Sequence, residues 1–68
     1  MIKFKLHLLM AEHRMSQKEL SEKTGITPTV INKYYHDKIL RVPTEHLEKF
    51  CKIFDCNIQD LLEYIPED

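Results

Sequence analysis

The chain has 68 residues and a mass of 8.2 kDa, with 10 basic and 11 acidic side chains and a formal net charge of −1. That is the length of one small domain over residues 1–68, stable by a few to about ten kcal/mol, which argues against a separate cofactor domain or a large lidded cleft. An apolar share of 43% is too high for disorder, a charged share of 31% suits a soluble surface, and a charge near zero argues at first sight against a polyanionic partner.

The longest apolar run, Leu8-Leu9-Met10-Ala11, is far short of a membrane span. The opening Met1-Ile2-Lys3-Phe4-Lys5 alternates charge and apolarity, unlike a signal peptide. With two cysteines, this predicts free thiols in a reducing cytoplasm. No stretch reads as a linker, a repeat or a low-complexity tract.

In chain order, Ile2, Phe4, Leu6 and Leu8 alternate like a strand, whereas Leu6, Leu9, Met10 and His13 fit a helix. The expectation is an extended segment at 2–4 and a helix at about 5–13. Ser16 followed by Glu19 is a capping box, in which the hydroxyl accepts from the Glu19 amide and the carboxylate reaches back. The helix it starts must stop near Gly25, the default residue for a left-handed C-terminal position, so it covers about 17–23. Thr27-Pro28 starts the next helix: threonine caps, and proline at the first position forgoes only an amide with no helical partner. Val30, Ile31 and Tyr34 form its inward stripe, while Thr29, Asn32, Lys33 and His36 point away. Thr44 is the expected cap of a fourth helix with an apolar face of Leu47, Phe50, Cys51 and Phe54. Asn57, with Asp60 three residues on, caps a fifth carrying Ile58, Leu61, Leu62 and Ile65 and ended by Pro66. The expected fold class is all-α, with four or five short helices.

The second and third helices carry the function. A helix of about seven residues, a three-residue turn containing Gly and another short helix is helix-turn-helix spacing. Ser21 is small enough for close approach, Gly25 lets the chain reverse with φ > 0, and Ile26 plugs the corner. The polar outer face of the helix at 28–36 then suits a DNA major groove about 12 Å wide.

The run from Ser16 through Lys33 resembles the Cro/C1-type helix-turn-helix, or XRE, family of transcriptional regulators. Residues 47–62 are similar to that family's last two helices. The resemblance implies a compact, lambda-repressor-like domain that binds double-stranded DNA and takes no cofactor. In that family the Gln opening the second helix contacts a phosphate, a role that falls to Gln17. The first residues of the third helix face base edges, here Thr27, Pro28 and Thr29, with Asn32 and Lys33 one turn on. Lys33 could donate to guanine, Asn32 could pair with adenine, and the Thr29 methyl could touch a thymine methyl. Lys38 and Arg41 sit where phosphate contacts are often placed, and Tyr35 either offers its hydroxyl to a phosphate or is plain surface. This chain departs from the pattern twice. Pro28 replaces a long hydrogen-bonding side chain, and His36-Asp37-Lys38 stands where a Gly is common.

Plainer readings fit the remaining features. Tyr34 belongs to the core. His46, Cys51 and Cys56 are spaced H-x4-C-x4-C, which is no zinc-finger spacing, and the cysteines read as small buried hydrophobes. No phosphate loop or catalytic constellation is present, so no enzyme is expected. A reader of few base pairs needs a homodimer on an inverted repeat for strong discrimination, and either the last helix or an N-terminal edge pairing across a two-fold could supply it. The alternative function is an antitoxin- or adaptor-like module that docks the third helix on protein. The net charge of −1 divides unevenly: residues 1–41 carry eight basic and four acidic side chains (+4), residues 42–68 two and seven (−5). The basic part holds the helix pair and the connection after it.

Overall fold

The computed structural model describes residues 1–66. Along the chain lie β1 (Ile2–Phe4), α1 (Leu6–Glu12), α2 (Gln17–Thr24), α3 (Pro28–Tyr35), α4 (Thr44–Phe54), α5 (Ile58–Leu61) and β2 (Leu62–Tyr64). Five helices surround one core, and a two-stranded sheet closes it. Leu6 of α1, Leu20 of α2, Ile31 of α3, Phe50 of α4 and Leu61 of α5 are all fully buried, so every helix contributes an anchor.

Tyr34 is the aromatic centre of that core. Its ring meets Phe4 and Phe50 edge to face, each with centroids 5.1 Å apart. Such pairs add about 0.5–1.5 kcal/mol beyond area burial. The phenol, pushed up by burial, lies 2.7 Å from Nδ1 of His46, so the polar tip of a buried ring has a partner.

The expected caps of α2 and α3 form. The Glu19 amide donates to Ser16 Oγ at 3.1 Å, and the Val30 amide reaches Thr27 Oγ1 at 3.5 Å. Gly25 takes φ 74°, the left-handed conformation its place requires. Two other boundaries differ from expectation. Pro43, not Thr44, is the N-cap of α4; its carbonyl accepts from the His46 amide, and Thr44 is already helical. The last helix stops after one turn instead of running to Ile65.

That early stop is the main departure from an all-helical reading. Residues 62–64 leave α5 as a strand antiparallel to β1, in the register Ile2↔Tyr64, Lys3↔Glu63, Phe4↔Leu62. Met1 and Ile65 exchange backbone bonds of 2.8 and 2.7 Å, and the Lys5 amide donates to the Leu61 carbonyl at 2.8 Å. An unpaired β1 would leave a row of backbone donors and acceptors beside the core. The partner is residues 62–65 of the same chain, so one edge of the N-terminal strand, one of the two candidate surfaces for pairing across a two-fold, is taken by an intramolecular ladder.

Candidate nucleic-acid interface

The turn between α2 and α3 is held by side chains of α2. Thr24 is buried; its hydroxyl donates to the Leu20 carbonyl at 2.7 Å and accepts from the Ile26 amide at 3.1 Å. The Ser21 hydroxyl donates to the Ile26 carbonyl at 2.6 Å. Both backbone groups of Ile26 are thus satisfied from α2 while its side chain is buried in the core. The hydroxyl of Ser21 adds to the small size read from the sequence. Thr24 went unread there, although a Thr directly before the C-terminal Gly of a helix was the available signal.

This rigid corner presents α3. Ile31 and Tyr34 face inward, and Thr27, Pro28, Thr29, Asn32, Lys33 and His36 are exposed. Gln17, at the first position of α2, accepts at Oε1 from Nδ2 of Asn32 at 3.2 Å. One residue read as a phosphate contact and one read as a base contact are therefore joined. The bond leaves the Gln17 amide nitrogen and the Asn32 oxygen free for further partners. Gln17 also sits at the positive end of α2, which favours an anion.

Tyr35 is exposed, with ring contacts on two sides. Its ring stands edge-on to His7 of α1 (centroids 6.2 Å) and to His36 (5.2 Å). Together with Ser16 and Gln17, His7 and Tyr35 line a groove of about 270 Å³ between α1, the start of α2 and the end of α3. The structure so brings Gln17 and Tyr35 to one hollow. Lys38 and Arg41 do not line it; both are exposed on the connection from α3 to α4.

That connection starts with Asp37 in the left-handed region at φ 61°, the place where a Gly was missed in the sequence. The Asp37 amide donates to the Tyr34 carbonyl and the Lys38 amide to the Lys33 carbonyl, at 3.2 and 2.8 Å. This paired closure is the Schellman end of a helix.

The Cro/C1-type HTH DNA-binding domain family matches residues 5–67. The chain belongs to this family. It is 33% identical over 63 residues to YozG, an uncharacterized HTH-type transcriptional regulator of Bacillus subtilis (strain 168), covering 93% of this chain and 75% of that one. Its fold is also that of the transcriptional regulator VanUg, with a TM-score of 0.78 at 24% identity over 97% of this chain and 87% of the other. Family membership fits the helix pair just described: the Gly25 turn, the inward Ile31 and Tyr34, and an outward polar face.

Other chemistry finds little support among the described residues. No group of three or more His, Cys, Asp or Glu side chains could hold a metal ion, and no helix is long and apolar enough to cross a membrane. His46 is engaged with Tyr34, and Cys51 and Cys56 are free, half-buried thiols. Burial, followed by the neighbouring Cys51, Asp60 and Asp55, pushes the Cys56 thiol up and away from the reactive thiolate.

Proposed function

We infer that residues 1–68 form a single cytoplasmic domain acting as a sequence-specific, repressor-like transcriptional regulator, without catalytic activity, that works by occupying its operator. In this reading α3 enters the major groove with Thr27, Pro28, Thr29, Asn32 and Lys33 at base edges. Gln17, Tyr35, Lys38 and Arg41 hold phosphates on either side. The observation that carries it is the Gln17–Asn32 bond beside an exposed polar helix face. A side chain tied at one end to a phosphate ligand and free at the other to meet a base couples positioning to readout. With one of its two amide hydrogens engaged by Gln17, Asn32 keeps its carbonyl oxygen and a second hydrogen, the acceptor and donor that a pairing with adenine uses.

A single α3 spans few base pairs, so the functional species is a homodimer on an inverted repeat, with half-sites about 34 Å apart. Selection of bound duplexes from a random pool tests both points. The expected product is a short motif repeated with two-fold symmetry, bound with a log K that falls by about 0.9 per phosphate contact for each decade of salt. Absence of duplex binding at low salt would leave the protein-docking module as the function of this fold.

A further inference from the structure

We propose that Asp37 is a positioning residue for the phosphate-binding connection, acting by tying that connection to the strand built from the chain's first residues. The inference rests on the DNA-binding reading above and adds to it a residue that touches no DNA.

The ladder between β1 and β2 decides which backbone groups are spare. Met1 and Ile65 exchange both bonds, and Lys5 donates to Leu61, so the odd-numbered residues of the first strand turn their amides and carbonyls toward β2. In an antiparallel pair the alternate residues turn theirs outward. Phe4 is such a residue, and its amide donates to Oδ1 of Asp37 at 3.1 Å, across 33 positions of sequence. The carboxylate of Asp37 thereby caps the outer edge of β1, while its backbone closes α3 and launches the segment carrying Lys38 and Arg41.

Two further features single this residue out. A left-handed conformation disfavours any side chain, Asp and Asn less than most, and glycine would be the relaxed choice. A negative charge next to Lys38 also opposes phosphate binding. An Asp here is unfavourable on both counts unless the acceptor it supplies matters. Around the bond, the Phe4 ring packs on Tyr34 and the His7 ring on Tyr35, so the strand, α1 and the end of α3 meet along one seam.

The sign of the effect separates this role from plain electrostatics. Asp37→Asn removes the charge and keeps both an acceptor and tolerance of φ 61°. Asp37→Gly removes charge and acceptor while suiting the backbone better, so it folds. If only charge mattered, both variants would bind duplex more tightly than the wild type. The expected result is that Asp37→Asn binds at least as tightly, whereas Asp37→Gly binds about five- to tenfold more weakly. The salt slope of Asp37→Gly should be shallower by up to about 1.8, the share of two phosphate contacts. Hydrogen exchange of the Phe4 amide, read without DNA, should be slow in the wild type and Asp37→Asn and fast in Asp37→Gly. Equal affinities and slopes for the two variants, or equal Phe4 exchange, would overturn the proposal while leaving DNA binding intact. A wild-type chain that binds no duplex at low salt would instead remove the DNA reading, and the functional role of Asp37 with it.

Discussion

The helix pair and the terminal sheet are built on opposite principles. Between α2 and α3, the caps and the turn are closed by local bonds, Ser16 to Glu19, Thr24 to Leu20 and Ile26, Ser21 to Ile26 and Thr27 to Val30, and only the Gln17–Asn32 bond reaches farther, across fifteen positions. The sheet joins Met1 to Ile65 and Lys5 to Leu61, and its outer edge reaches Asp37. The first region sets the start of α3 and its angle to α2. The second decides how firmly the segment after α3 is held. Local bonds give a rigid corner at low entropic cost, whereas long-range pairing must close a loop of nearly the whole chain before it contributes.

The largest test of that contrast is to hollow each region in turn. Ile31→Ala removes a fully buried side chain of α3 and should cost about 2–5 kcal/mol; Phe4→Ala, at the sheet, should cost about 3–5 kcal/mol. Urea unfolding followed by circular dichroism should show one transition in both, shifted to lower denaturant, because both side chains share the same core. A Phe4→Ala protein unfolding in two separated steps would show that the sheet is an independent appendage.

A smaller change sharpens the local side of the comparison. Thr24→Val keeps the shape and deletes the hydroxyl that serves both Leu20 and Ile26, leaving the Ile26 amide without its partner. The expected loss is about 1–3 kcal/mol in the same urea experiment. An unchanged midpoint would mean that water reaches the corner and the turn is held by Gly25 and Ser21 alone.

The same division explains what the sequence discloses. Capping box, Gly25 and Thr27-Pro28 each carry their message within four residues, and they place α2, α3 and the outward face of α3 to within a residue or so. At Leu61, Leu62, Tyr64 and Ile65 the apolar pattern suits a helical stripe and a strand alike, and the choice is made by unpaired backbone at Met1 to Lys5, some sixty residues away. Asp37 is hidden for a related reason: a left-handed Asp looks like any loop Asp until the strand whose amide it accepts is in place. Among the candidate DNA ligands, the outward direction of Thr29, Asn32 and Lys33 follows from helical period. The bond between Gln17 and Asn32, fifteen positions apart, depends on the angle between two helices and could not be counted out along the chain.

On DNA the comparison becomes one of specificity against plain affinity. Lys33 is exposed on α3 and Arg41 on the connection between α3 and α4. Lys33→Ala should cost about 1–3 kcal/mol on the preferred duplex and relax selection at one or two base pairs. Arg41→Ala should weaken all duplexes alike and reduce the salt slope by about one. Titration of the selected operator and a scrambled duplex with each variant checks this, and identical behaviour on both duplexes would remove the separate roles.

The smallest expected effect isolates the sheet from the core. Lys3 and Glu63 stand directly opposite in the ladder with exposed side chains, so Lys3→Glu places two carboxylates face to face without disturbing Phe4 or Tyr34. The cost should be about 0.2–1 kcal/mol, near the lower end because solvent and salt screen exposed charges. The double exchange Lys3→Glu with Glu63→Lys restores the opposed charges at the same net charge and should recover wild-type stability. Added salt should erase the deficit of the single variant, since a screened repulsion vanishes while a packing defect does not. A deficit that persists in high salt would mean a packing defect, whereas one that survives the double exchange and vanishes with salt would mean that the sheet depends on which of its strands carries the positive charge. The acidic C-terminal half of the chain would then repel the exchanged strand, and the uneven division of charge would be a constraint on folding as well as on binding.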